Sequence, residues 1–183
     1  MNNQDRKRKS FEAREEKFIQ AAFTLFAEKG IESVTIEMIA DSAGIGKGTV
    51  YKHFSSKNDI FATLIIRQGN ELIEVLDTID LTQPVMAQLK ATMRAFWDFQ
   101  IRDIRHFAVY RKCDHLLMLE GMSPEVRAAF EAQNIKKDEF IRTMIQKAMD
   151  EHIFLNPSID DMVAASTGLF KGVFDLILQG DAE

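Results

Sequence analysis

Residues 35–57 read TIEMIADSAGIGKGTVYKHFSSK, and this stretch decides how the N-terminal part of the chain folds. Thr35 offers a hydroxyl that caps a helix by accepting a backbone amide, and Glu37 places a negative charge in the first turn. Gly44 permits a sharp turn after the apolar pattern ends. The stretch therefore predicts a helix over 36–42, a turn over 43–46 and a second helix over 47–54.

The second helix of this stretch has an apolar face and a polar face. Val50 and Phe54 are four residues apart and share one face, which predicts that they pack on neighbouring helices. The side chains off that face are donors suited to phosphate oxygens and base edges: Lys47, Thr49, Tyr51, Lys52 and His53. Two short helices joined in this way form a helix-turn-helix.

The glycines and lysines of the same stretch also suggest a phosphate-binding nucleotide loop. Such a loop requires the spacing G-x-x-x-x-G-K-[ST] and a strand that leads into the glycine turn. The glycines and lysines of this stretch do not have that spacing, and a helical pattern, not a strand, precedes them. A DNA groove is therefore the better interpretation.

The stretch from Arg14 to Leu64 resembles the DNA-binding domain of the TetR/AcrR family of bacterial transcriptional regulators. The positions that match the family pattern are Phe26, Gly30, Thr35, Ile36, Ile39, Ala40, Ala43, Gly44, Ile45, Gly48, Thr49, Val50, Tyr51, His53, Phe54, Ser56 and Lys57. Gly46 replaces the family's usual capping serine, and glycine is a tolerable cap. Phe61 stands near a usual leucine and remains apolar.

The resemblance implies a DNA-contacting role for eight residues. Thr35, Tyr51 and His53 would bind backbone phosphates, and Lys57 would clamp the flanking backbone. Lys47, Thr49 and Lys52 would reach a base edge or a phosphate, and Gly48 would let the helix approach closely. Two bland interpretations stay open, in which Tyr51 belongs partly to the core and Lys57 is only a solvated charge.

Charge is distributed unevenly along the 183 residues, whose net charge is −5. Residues 1–57 hold 10 Lys and Arg against 8 Asp and Glu, and residues 58–183 hold 13 against 20. The densest basic cluster, RKRK at 6–9, is interpreted either as a solvated flexible tail or as a phosphate-contacting arm. The single Cys113 excludes an internal disulfide, and no apolar run is long enough to span a membrane, so a cytoplasmic location is expected.

Apolar spacing of three and four residues recurs along the whole chain and predicts an all-α fold. The other expected helices cover 10–29, 56–79, 85–100, 102–119, 125–152 and 159–179. The predicted organisation is a helix-turn-helix DNA-binding domain with a basic N-terminal arm over 1–57. A long helix joins it to a helical effector-binding and dimerisation domain over 58–183.

Two features of residues 58–183 bear on function. An aromatic and methionine cluster is either plain core or the lining of a cavity for a largely apolar effector. Its candidate lining residues are Met93, Trp97, Phe107, Tyr110 and Met118. Small residues on the last helix permit close helix approach, which predicts a homodimer interface through a four-helix bundle. The candidate interface residues are Phe140, Met144, Gly168, Leu169, Gly172 and Val173.

These patterns together predict a homodimeric, sequence-specific transcriptional regulator that binds a palindromic operator in double-stranded DNA. Repression relieved by a small-molecule effector is the expected mode. The sequence shows no nucleophile–base pair and no cofactor motif. It also predicts no metal site, because the positions of His106, Cys113 and His115 do not suit a metal. The alternative is a helical adaptor or small-molecule-binding protein without a DNA function.

Overall fold

A computed structural model describes residues 3–117, 121–154 and 158–180. These residues form helices and connecting turns, with no strand among them. A 3-10 turn at Ile31–Ser33 follows the first helix. The helices are α1 (Asn3–Lys29), α2 (Ile36–Ala43), α3 (Lys47–Val50), α4 (Lys57–Leu76), α5 (Val85–Ile101), α6 (Ile104–Leu116), α7 (Pro124–Asp150) and α8 (Ile159–Gly180). The all-α prediction is confirmed.

Two helix boundaries differ from those predicted. Helix α1 begins at Asn3, so the basic cluster at 6–9 is helical and the flexible-tail interpretation is wrong. Helix α3 is regular only over Lys47–Val50. Turn hydrogen bonds then carry the chain to Phe54, whose backbone N–H donates to the Val50 carbonyl at 2.9 Å. The predicted helix over 47–54 is therefore one regular turn followed by tight turns.

The described residues divide into two compact units. Unit 1 comprises the chain up to Gln68 together with residues from Arg105 to Phe130, and unit 2 comprises Gly69–Ile104 and the chain from Glu131 onward. Residues 58–68, 105–117 and 121–130 thus pack with the helix-turn-helix. These compact units are defined by packing and not by function. The boundary after residue 57 between a DNA-binding domain and an effector-binding and dimerisation domain therefore stays a prediction.

The core of unit 1 holds the helix-turn-helix in place. It joins the apolar stripe of α1 to α2 and α3, and it also takes in side chains of α4 and α6. Phe18 of α1 stacks on Phe54 with ring centroids 5.0 Å apart, and Phe23 stacks on His106 of α6 at 4.1 Å. Because Val50 and Phe54 take the side of the α3 region that faces this core, Lys47 and Lys52 stay exposed.

A buried carboxylate fixes the start of α4 within unit 1. Ser56 caps that helix, since its Oγ accepts a hydrogen bond from the Asp59 N–H at 3.2 Å. Asp59 is fully buried. Its Oδ2 accepts from the backbone N–H and hydroxyl of Ser55 at 2.8 and 2.7 Å. Its Oδ1 accepts from the Ser123 N–H at 2.7 Å, so one side chain links the end of the helix-turn-helix to the residue before α7.

Unit 2 is built from the rest of α4 with α5, the part of α7 from Glu131 onward, and α8. Trp97 of α5 stacks on Phe174 of α8 with ring centroids 5.1 Å apart, and Phe96 packs on Phe170 at 4.6 Å. Arg142 of α7 donates to Asp160 of α8 at 2.7 Å. Among the helices described, none is long and apolar enough to cross a bilayer.

Candidate nucleic-acid interface

The turn of the helix-turn-helix is built as its sequence predicts. Thr35 adopts an extended conformation, and its Oγ1 accepts a hydrogen bond from the Met38 N–H at 3.2 Å. Gly44 ends α2 in the left-handed conformation at φ 66° and ψ 34°. A side chain at that φ would be strained, so glycine is required to direct the chain from α2 into α3.

The α3 region presents a polar surface on an apolar anchor. Val50 and Phe54 are 1% and 2% exposed, which confirms the predicted anchoring face. Lys47, Gly48 and Lys52 are exposed, and Thr49 is partly exposed. A Cβ placed on Gly48 would meet nothing within 4 Å, so the structure leaves open space for another molecule to approach this backbone.

Tyr51 is directed outward and is 52% exposed, so its core interpretation is wrong. Its hydroxyl donates to Oε1 of Glu37 at 3.2 Å. The negative charge of Glu37 and this hydrogen bond raise the pKa of Tyr51. The local pattern indicates only a helix-terminal role for Glu37. It carries no signal for this contact, because the contact joins the first turn of α2 to the residue that follows α3.

His53 is placed differently from the prediction. Its side chain is only 5% exposed, and its ring stacks on Phe11 of α1 with centroids 3.7 Å apart. Its buried Nδ1 has no hydrogen-bond partner and lies 3.9 Å from Oε2 of Glu15. The outward orientation predicted for His53 is wrong, because α1 extends far enough towards the N-terminus to cover the imidazole.

Burial of His53 predicts a pH-dependent stability. Desolvation lowers its pKa below 6.5, assisted by Arg14 and opposed by Glu15. As pH falls below 6.5 the unfolded chain binds more protons than the folded chain, so the free energy of unfolding decreases. We expect His53→Phe to remove this component between about pH 7.5 and 5.5 in urea unfolding titrations. Equal pH dependence in the variant and the wild type would contradict the assignment.

Lys57 is engaged inside unit 1. Its Nζ donates to the Ile31 carbonyl at 2.7 Å, and its side chain is partly buried. Burial lowers its pKa, while the charge of Glu32 raises it. The interpretation as a merely solvated charge is therefore wrong. Its contact with flanking DNA stays a prediction, which the two remaining ammonium protons allow.

The candidate effector-lining residues do not all belong to one unit. Met93 and Trp97 lie in unit 2, and Phe107 and Tyr110 lie in unit 1. Met93 is 57% exposed, so it does not line a closed cavity in unit 2. Tyr110 packs on Phe23 with ring centroids 5.8 Å apart, as part of the unit 1 core. Met118 lies outside the described residues.

The candidate dimer residues on α8 form an exposed face. Leu169 is 65% exposed, Gly168 and Gly172 are exposed, and Val173 is partly exposed. Leu176 extends the same face and is 69% exposed. On α7, Phe140 is partly exposed, but Met144 is only 4% exposed. Met144 therefore packs inside unit 2, and its prediction as an interface residue is wrong.

Comparisons with known proteins identify the N-terminal region. The family model described as "Bacterial regulatory proteins, tetR family" matches residues 18–64. The transcriptional activator FasR of Mycolicibacterium smegmatis is 28% identical over 113 residues, covering 61% of this chain and 51% of FasR. The probable acrEF/envCD operon repressor of Escherichia coli K12 is 25% identical over 166 residues, covering 86% of this chain and 73% of that protein. The chain thus spans about half the length of FasR.

Solved structures extend the likeness in fold to most of the chain. A putative TetR family regulator from Shewanella sp. PV-4 aligns with a TM-score of 0.70 at 17% identity, covering 92% of this chain and 87% of that one. A regulatory protein from Rhodococcus RHA1 aligns with a TM-score of 0.68 at 20% identity, covering 88% of this chain and 83% of that one. Residues 18–64 thus match the tetR family of bacterial regulatory proteins, and most of the chain shares the fold of solved TetR-family structures.

Proposed function

We propose that this regulator is a homodimer that binds a palindromic operator, represses transcription and is released by a small-molecule effector. The observation that carries the proposal is the α3 region, where a buried Val50–Phe54 anchor leaves Lys47, Thr49 and Lys52 accessible. These side chains offer donors to phosphates and base edges. Proteins of this family are not enzymes.

The two-fold symmetry of a dimer predicts the form of the operator. Each subunit places the Lys47–Lys52 surface in one major groove, so the half-sites are inverted repeats about one helical turn or more apart. Selection of bound duplexes from a random pool tests this proposal, and we expect an enriched palindrome. Failure to enrich any sequence would overturn it and favour the adaptor alternative.

The exposed apolar face of α8 supports the homodimer. Leu169 and Leu176 stand on either side of Gly172, where a Cβ would meet nothing within 4 Å. A second copy of this face would bury these leucines at close helix spacing. The same arrangement would hold two DNA-reading surfaces in one complex.

Charge placed on this face is expected to dissociate the dimer. Leu169→Arg with Leu176→Arg would set like charges against each other across a two-fold axis, where burying unpaired charge is strongly unfavourable. Sedimentation equilibrium should give the monomer mass for this variant and the dimer mass for the wild type. Leu81→Arg is the matched control, since Leu81 is 56% exposed in a turn before α5. A variant that stays dimeric at micromolar concentration would contradict the assigned face.

An apolar effector is proposed from the composition of unit 2. Trp97, Phe96 and Phe174 supply aromatic surface that suits an uncharged, largely apolar molecule.

Repression is tested with a reporter gene placed behind the selected operator. We expect lower expression of the reporter gene when the protein is present. Higher expression of the reporter would show that this protein activates transcription, which is the mode named for the relative FasR.

A further inference from the structure

The carboxylate of Glu37 gathers the polar groups that are proposed to meet DNA. Glu37 lies in the first turn of α2, and its Oε1 accepts the Tyr51 hydroxyl at 3.2 Å. The backbone amide at the start of α2, the Thr35 hydroxyl and the charge of Lys47 also favour the ionised carboxylate, because each of them lowers the pKa of Glu37. Tyr51 thus already binds an anion in the free protein, and two more residues predicted to contact DNA, Thr35 and Lys47, favour its charge.

This environment keeps the carboxylate ionised. Its own backbone amide, followed by the hydroxyls of Tyr51 and Thr35 and the charge of Lys47, lowers the pKa of Glu37 below 4.5, and desolvation opposes them. At neutral pH the surface therefore carries a full negative charge beside the N-terminus of α2. Such a charge attracts the same donors that a phosphate attracts and repels the phosphate itself.

The groups that favour this carboxylate are two hydroxyls, an ammonium and a helix N-terminal amide, which are the kinds of donor that a DNA phosphate binds. We propose that the Glu37 carboxylate occupies, in the free protein, the place that a backbone phosphate takes in the DNA complex. Glu37 is then an internal competitor that weakens binding to DNA of any sequence. This inference rests on the proposed DNA-binding function and adds a limit on its affinity.

Internal competition has a consequence that base recognition lacks. A phosphate lies at this position whatever the DNA sequence, so the penalty applies equally to the operator and to unrelated DNA. A glutamate that reads a base, by accepting from a cytosine amino group, would instead favour one sequence. The affinity ratio between operator and unrelated DNA separates the two roles.

Glu37→Gln tests the proposal, since the amide keeps the shape and an acceptor oxygen for Tyr51 but has no charge. The probes are the selected operator and a mixed-sequence duplex of about two helical turns, titrated by fluorescence anisotropy over a range of salt. We expect roughly tenfold tighter binding to both duplexes. We also expect the slope of log K against log salt to steepen by about 0.9 per subunit, because one more phosphate is neutralised.

Two further variants complete the experiment. Asp41→Asn removes the same charge from an exposed position on α2 and should change affinity less than about twofold. Tyr51→Phe should weaken binding more in the Glu37→Gln background, where a neutral acceptor holds the hydroxyl less strongly than the carboxylate and a phosphate competes for it more easily. The proposal is overturned if Glu37→Gln weakens operator binding alone, if affinity does not change, or if Asp41→Asn tightens binding equally. Absence of DNA binding by the wild type would instead count against the proposed function.

Discussion

Asp59→Ala is expected to lower the free energy of unfolding by about 3 kcal/mol or more. Asp59 is fully buried, and its carboxylate accepts hydrogen bonds from the Ser55 and Ser123 backbone amides and the Ser55 hydroxyl. Alanine would leave these donors buried without a partner, and each orphaned group costs about 1–3 kcal/mol. We expect the structure to be weakened most where the helix-turn-helix joins α4, because the orphaned donors of Ser55 lie there.

Asp59→Asn is the matched control for this prediction. Its side-chain oxygen still accepts one or two of the hydrogen bonds, so we expect a loss smaller than that of alanine. Urea unfolding followed by far-UV circular dichroism measures both variants. Hydrogen exchange of the α4 amides then locates the change in unit 1. A loss below about 1 kcal/mol for alanine would show that water or a rearranged backbone satisfies the orphaned donors.

Lys47→Ala is expected to weaken operator binding by at least about tenfold, because a charge-assisted phosphate or base contact is lost in each of two subunits. If the lost contact is to a phosphate, the slope of log K against log salt should become shallower by about 0.9 per subunit. The unfolding free energy should stay unchanged, since Lys47 is exposed.

Lys90→Ala is the control for Lys47→Ala, since it removes one exposed positive charge from α5 in unit 2. It should leave the affinity and the salt slope unchanged. Lys57→Ala is a poorer probe of DNA contact, because it also removes the hydrogen bond to the Ile31 carbonyl. Equal salt slopes and affinities for Lys47→Ala and the wild type would contradict the assigned role of Lys47.

Local chemistry was sufficient to predict the helix-turn-helix. The Thr35 cap, the left-handed Gly44 and the Val50–Phe54 anchor each depend on residues within a few positions of one another. Interactions of that range can be read from spacing and side-chain type. The resemblance to a known family indicated which residues should contact DNA. In the structure the donors Lys47, Lys52 and Tyr51 lie at the surface.

The predictions that were wrong depend on contacts between distant segments. His53 is buried because Phe11 of α1 covers its ring, and no pattern near residue 53 indicates this contact. Periodicity identified Met144 as apolar, but it does not specify that unit 2 itself covers this side chain. The bond between Asp59 and Ser123 joins residues 64 positions apart. Helical periodicity predicts which face of a helix is apolar, but tertiary packing determines which distant segments cover that face.

The central claim is that two copies of the Lys47–Lys52 surface read one palindromic DNA site. Hydroxyl-radical footprinting of the wild-type protein on the selected operator tests this claim most directly. We expect two protected patches related by the operator dyad, lying on one face of the duplex and separated by about one helical turn or more. A single asymmetric patch, or uniform protection along the duplex, would contradict it.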